Sequence, residues 1–101
     1  MSEWVRAAKK RDLEPGKGVM IEAGGRRVAL FNADGVFYAV DDACPHRGGP
    51  LSQGAVDNGE LTCPWHAWGF DVKTGACHTV PAAKIRTYPV KTEGDDVFVQ
   101  I

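Results

Sequence analysis

Short apolar runs alternate with turn-forming pairs along most of the chain. Val19-Met20-Ile21 and Arg27-Val28-Ala29-Leu30-Phe31 flank Gly24-Gly25, which predicts a hairpin. Ala33-Asp34-Gly35 is a second strong turn signal, and Val36-Phe37-Tyr38-Ala39-Val40 follows it. Near the C-terminus, Tyr88-Pro89-Val90-Lys91 and Val97-Phe98-Val99-Gln100-Ile101 bracket Glu93-Gly94-Asp95, a third hairpin. Pro89 has no N–H to give to a ladder, so its strand belongs at a sheet edge. No long helix is indicated. Residues 2–9 suit a turn of helix or a strand equally well, because Trp4, Val5 and Ala7 fit both. The predicted class is all-β.

The segment from about residue 43 to 83 has a different pattern. It is rich in Gly, Pro, Cys, His and Trp and has few long apolar runs. Within it, Gly69-Phe70-Asp71-Val72 followed by Lys73-Thr74-Gly75 predicts a small strand and turn. Such a segment is expected to lack the apolar surface needed to order itself, and a bound metal would supply what burial does not.

Size and charge narrow the picture. With 101 residues the chain suffices for one domain, 1–101, and is too short for two. A net charge of −1 lacks the clustered basic excess of a nucleic-acid footprint. Lys9-Lys10-Arg11 is followed at once by Asp12 and Glu14 and is read as a solvated face. No apolar run approaches the roughly 18 residues of a membrane span, and residues 1–6 carry no signal-peptide stretch. A cytoplasmic chain without a membrane partner is expected. Three cysteines cannot all pair internally. In a reducing compartment, clustered Cys and His point to metal before disulfide.

Cys44-Pro45-His46 and Cys63-Pro64-Trp65-His66 each supply one thiolate and one imidazole. Each is followed by a Gly-containing stretch, so two tight loops could present four ligands to a small inorganic core. Structural zinc held by two Cys and two His is the alternative, although zinc fingers usually pair Cys with Cys and His with His at other spacings. A chance pattern without metal is the third reading. Cys77 and His78 stand outside the pattern and are read as a buried thiol and a surface imidazole. Trp65 and Trp68 either pack beneath the loops or shape a partner surface. Arg47 either steers an acidic partner or is an ordinary solvated side chain.

Cys44-Pro45-His46-Arg47-Gly48-Gly49-Pro50-Leu51, together with Cys63-Pro64-Trp65-His66-Ala67-Trp68-Gly69-Phe70-Asp71, resembles the Rieske family. The likeness extends over nearly the whole chain. It implies one [2Fe–2S] cluster per chain, with Cys44 and Cys63 on one iron and His46 and His66 on the other. It implies stacked antiparallel sheets with a cluster-binding subdomain inserted between strands. Thr79-Val80-Pro81-Ala82 would be the proline loop that covers the cluster from a third side. Gly48, Gly49 and Gly69 would let backbone N–H groups approach the sulfides. Two neutral imidazoles leave the oxidised centre uncharged, whereas four thiolates would make it dianionic, so the centre is easier to reduce.

The respiratory member of the family adds a disulfide between its two loops, and its extra cysteines would fall at Gly49 and Trp65. It also places Ser and Tyr hydroxyls at positions occupied here by Trp68 and Phe70, and it has a membrane anchor. Those departures imply a soluble, lower-potential ferredoxin, monomeric when isolated. Such a carrier takes single electrons from a reductase and gives them to an oxygenase or other redox enzyme. The chain ends at Ile101, so it is expected to lack the mononuclear-iron domain of the larger oxygenases and to be a non-catalytic component. A small subunit of an assimilatory nitrite reductase is the second reading. A structural or sensory metal module is the third.

Overall fold

The computed structural model describes residues 3–45, 48–65 and 67–101. These residues form ten strands: β1 (Trp4–Lys9), β2 (Gly18–Ala23), β3 (Arg26–Ala33), β4 (Val36–Asp41), β5 (Ala55–Asp57), β6 (Glu60–Thr62), β7 (Gly69–Asp71), β8 (Thr87–Tyr88), β9 (Val90–Glu93) and β10 (Asp96–Gln100). They make three antiparallel sheets, ordered β1-β10-β9, β2-β3-β4-β8 and β5-β6-β7. The prediction of an all-β fold built from antiparallel sheets therefore holds. Residues 4–9 resolve as strand, paired along β10 from Trp4↔Gln100 to Lys9↔Asp96.

The middle sheet is shared by two cores, and the alternation of side chains along β3 shows how. Val28 and Leu30 point to one face and pack with Val97 and Val99 of β10. Ala29 and Phe31 point to the other and pack with Leu51, Val56, Leu61 and Phe70 of the inserted segment. All four β3 residues are fully buried. This is why β3 is a continuous apolar run: both of its faces are covered. β4 repeats the division, with Phe37 and Ala39 on the first side and Val40 on the second. Gly18 lies opposite Phe31, and an added Cβ there would come within 2.4 Å of the Phe31 ring.

Two sequence expectations change. The insert does own a core. Leu51, Val56, Leu61, Phe70 and Val72 are all buried, and a short hairpin, β5–β6, turns at Asn58-Gly59 with φ of 52° and 77°. Its apolar residues are isolated singles rather than runs, and this hid them. The Tyr88-Pro89-Val90-Lys91 strand is instead split at the proline. Tyr88 ends β8, beside β4, whereas Val90 begins β9, beside β10. Both are edge strands, and the missing N–H marks the point where the chain changes sheets. The junction is tied by the Tyr88 hydroxyl, which donates to Asp41 Oδ1 at 2.5 Å. Burial, reinforced by that carboxylate, raises the Tyr88 phenol above its ordinary pKa.

Gly75 closes the turn after β7. It has φ 81°, and a Cβ there would lie 2.2 Å from the Ile85 carbonyl oxygen. Gly25 has φ 76° and open space around it. Gly25→Ala should cost about 1 kcal/mol for the left-handed backbone alone. Gly75→Ala should cost about 2–5 kcal/mol, because the clash adds to it. Equal urea midpoints for the two variants would contradict the close approach at Gly75.

Candidate metal centre

The first loop leaves β4 through Asp42, which grips its neck twice. The Asp42 carbonyl accepts the Leu51 N–H at 2.7 Å, and its buried carboxylate accepts the Ser52 N–H at 2.8 Å. The second loop is the tip of the β6–β7 hairpin, beyond the Thr62↔Gly69 pair. The two loops close in the same way. Cys44 N–H donates to the Gly49 carbonyl (2.9 Å), and Gly48 N–H donates to the Cys44 carbonyl (2.7 Å). Cys63 N–H donates to the Trp68 carbonyl (2.9 Å), and Ala67 N–H donates to the Cys63 carbonyl (3.0 Å). In each loop the fourth residue after the cysteine is left-handed, Gly48 at φ 72° and Ala67 at φ 58°. Glycine adopts that conformation freely. Alanine pays of order 1–2 kcal/mol for it.

These matching loops carry Cys44 and Cys63, exposed by only 2% and 1% and members of one buried cluster. His46, His66 and Arg47 lie outside the described residues. The loops touch at Gly49, where an added Cβ would sit 3.3 Å from Cys63 Sγ and 3.0 Å from the Trp65 indole. Gly49 and Trp65 are the positions at which the respiratory relative would carry its disulfide. Here an aromatic ring against bare backbone joins the loops instead. No disulfide links the three cysteines.

A third segment closes the site from the side. Cys77 bridges to Phe70, and Ala76 bridges to Lys84. His78 N–H donates to the Gly69 carbonyl (2.7 Å), and Gly69 N–H donates to Thr79 Oγ1 (2.9 Å). Val80 and Ala83 pack against the cluster of buried residues that includes both loop cysteines. Cys77 is buried, as expected, and its Sγ accepts the Val80 N–H at 3.3 Å. His78 is half-exposed, and its Nδ1 lies 2.8 Å from Glu60 Oε2, a pairing that the sequence reading missed.

Two expectations about the loops are corrected. The amides of Gly48 and Gly69 are directed to the Cys44 carbonyl and the Thr79 hydroxyl, so they close loops rather than reach sulfur. The two tryptophans, read together from the sequence, differ: Trp68 packs against the buried cluster, whereas Trp65 lies against Gly49 and is 58% exposed. Pro45, Pro64, Ala67, Pro81 and Ala82 are also exposed. No Asp or Glu occurs in 43–50, 63–69 or 76–83.

The residues present fit an iron–sulfur group. Two buried thiols are the soft donors that iron–sulfur chemistry uses. Each sits at the root of a loop whose backbone is already closed, and the bare backbone of Gly49 leaves room beside Cys63 Sγ.

A two-loop metal centre on stacked antiparallel sheets defines a class, and comparison with known proteins identifies it. The Rieske [2Fe-2S] domain matches residues 3–89, and the chain belongs to that family. It is 36% identical over 99 residues to the ferredoxin component of the naphthalene 1,2-dioxygenase/salicylate 5-hydroxylase systems of a Ralstonia species, covering 97% of this chain and 95% of the relative. Its fold matches the ferredoxin of carbazole 1,9a-dioxygenase from Nocardioides aromaticivorans IC177 with a TM-score of 0.88 and 30% identity over 95% of each chain. It also matches a protein described as an NADH-dependent nitrite reductase small subunit from Mycobacterium tuberculosis. There the TM-score is 0.92 and the identity 28%, over 100% of this chain and 96% of that one. A Rieske-type [2Fe–2S] cluster is the family's cofactor.

The insert's own core separates what burial orders from what metal orders. In cluster-free protein, thermolysin should cut within 43–50 and 63–68 at least tenfold faster than in loaded protein. The β5–β7 sheet should stay protected in both. Cleavage spread across β5–β7 after cluster removal would show that metal, rather than Leu61 and Phe70, holds the insert.

Proposed function

We propose that this chain holds its cluster with Cys44 and Cys63 on one iron and His46 and His66 on the other. It carries single electrons to the terminal oxygenase of a ring-hydroxylating system. The observation that supports this most is the pair of identically closed loops, each rooted on a buried cysteine. The bound cluster supplies one-electron chemistry. The chain fixes two thiols on its core side and keeps the two loops together through Gly49 and Trp65. Exposed Trp65, with exposed Pro45 and Pro64 in the same two loops and no carboxylate there, suits a partner that docks by apolar contact.

The oxygenase reading is favoured by the 36% identity to a dioxygenase ferredoxin component over nearly the full length of both chains. The nitrite reductase reading is second, supported by the TM-score of 0.92. The donor would be a reductase. The cytoplasm, a reducing compartment, suits three cysteines that form no disulfide.

Ligation is tested by substitution. His46→Ala and His66→Ala should each abolish the Rieske electron paramagnetic resonance signal of the dithionite-reduced protein, and His78→Ala should keep it. Loss of the signal in His78→Ala with retention in both others would overturn the assignment.

The potential is tested at Phe70, which is fully buried in the same cluster as Cys44 and Cys63. Reduction adds negative charge, so a donor to sulfur stabilises the reduced state more than the oxidised one. A net hydrogen bond is worth about 0.5–1.5 kcal/mol, and about 1.4 kcal/mol corresponds to about 59 mV for one electron. Phe70→Tyr should therefore raise the reduction potential by roughly 20–65 mV in protein-film voltammetry, provided the new hydroxyl reaches a ligand sulfur. A lower or unchanged potential would remove the missing hydroxyl as the reason for a low-potential carrier.

A further inference from the structure

We propose that Glu60 and His78 form a latch that fastens the covering segment 78–83 to the second cluster-binding loop. Both are positioning residues rather than ligands. His78 begins the covering segment, and Glu60 begins β6, eighteen residues earlier. Their side chains meet at 2.8 Å, each half-exposed. The pair keeps one hydrogen bond whether the imidazole is neutral or charged, since Nδ1–H donates to the carboxylate in either state.

The latch closes on Gly69. The Gly69 carbonyl accepts the His78 N–H, and the Gly69 N–H donates to Thr79 Oγ1. The Glu60 carboxylate covers the remaining side, and a Cβ on Gly69 would lie 2.6 Å from Glu60 Oε2. Gly69 is thus gripped on three sides by the covering segment and its tether. The next residue back, Trp68, accepts the Cys63 N–H through its carbonyl. The line of contacts runs from Glu60 through His78 and Gly69 to the backbone of Cys63. Without the pair, two neutral hydrogen bonds, from the His78 N–H to the Gly69 carbonyl and from the Gly69 N–H to Thr79 Oγ1, would dock the segment on β7 only. The Glu60–His78 pair adds an anchor on a different strand, so the segment cannot swing away while β6 stays in place.

This inference rests on the cluster being seated between the two loops, and the experiment separates the two ideas. Hydrogen–deuterium exchange of the loaded protein, followed by mass spectrometry, reads segments 67–72 and 78–83 against β3 as an internal standard. Glu60→Ala and His78→Ala should each speed exchange in both segments at least fivefold and leave β3 unchanged. The double variant should match the single ones, since either removes the whole contact. His78→Gln, which retains a donor for Glu60, should return exchange to within twofold of the native rate. Gly69→Ala, whose methyl group displaces the carboxylate, should behave like Glu60→Ala. Bleaching of the visible absorption by EDTA should accelerate in the same variants. Unchanged exchange in Glu60→Ala and His78→Ala overturns the latch. So does equal acceleration in β3, or failure of His78→Gln to rescue. A native protein without a Rieske resonance signal would overturn the cluster assignment instead, with the exchange result still readable.

Discussion

The structure depends on β3 being covered from both sides. A strand that alternates apolar and polar residues can serve one core. Val28-Ala29-Leu30-Phe31 serves two, with Val28 and Leu30 turned to the β1-β10-β9 sheet and Ala29 and Phe31 turned to the insert. Burial of a side chain such as Phe31 or Leu30 contributes about 1.5–3 kcal/mol. Because the two sets share one backbone, neither core can shift without moving the other. The loop necks are mounted on this slab, the first through Asp42 at the end of β4 and the second through the insert whose Leu61 and Phe70 pack with Phe31.

On that base the two ligand loops are alike where backbone matters and differ where side chains matter. Both begin Cys-Pro, both return a carbonyl to the cysteine N–H five residues on, and both need a left-handed residue at the fourth position. The second loop places Ala67 where the first has Gly48, and it accepts the conformational cost. The hairpin that carries it offsets that cost, since β6 and β7 pair at Glu60↔Asp71, Leu61↔Phe70 and Thr62↔Gly69 right up to the tip. The first loop has no such ladder at its neck, only the Ala43↔Pro50 bridge and the grip of Asp42.

What the sequence made legible follows from how local each signal is. The hairpins at Gly24-Gly25 and Asp34-Gly35 were readable because their turn chemistry and apolar flanks are adjacent. The two cysteine loops are readable because Cys-Pro-His and Cys-Pro-Trp-His are contiguous motifs. Asn58-Gly59 carries an equally strong turn signal, yet its flanks Ala55-Val56-Asp57 and Glu60-Leu61-Thr62 each hold one buried residue, too few to show a period. Pro89 marks an edge, as a proline in a strand should, but the change of sheet at that point is set by two distant neighbours, β4 and β10. The Glu60–His78 and Gly69–Thr79 contacts join residues eighteen and ten positions apart, and no local pattern announces them.

The placement of charge completes the argument for an electron carrier. Reduction adds a negative charge to the site, and carboxylates close by would oppose it. None occurs in the two loops or the covering segment. The carboxylate three residues before Cys63 is Glu60, and it is engaged by His78. Asp42, two residues before Cys44, is buried and accepts the Ser52 amide, so its charge is met by a backbone dipole at the loop neck. Asp71, at the far end of β7, accepts the Lys73 and Thr74 amides of the following turn, whereas Glu22 on β2, Glu93 on β9 and Asp96 on β10 belong to the other two sheets. Among the described residues of the two loops, the exposed ones are Trp65, Pro45, Pro64 and the small Ala43, Gly48 and Ala67. Apolar side chains carry no charge for the added electron to attract or repel.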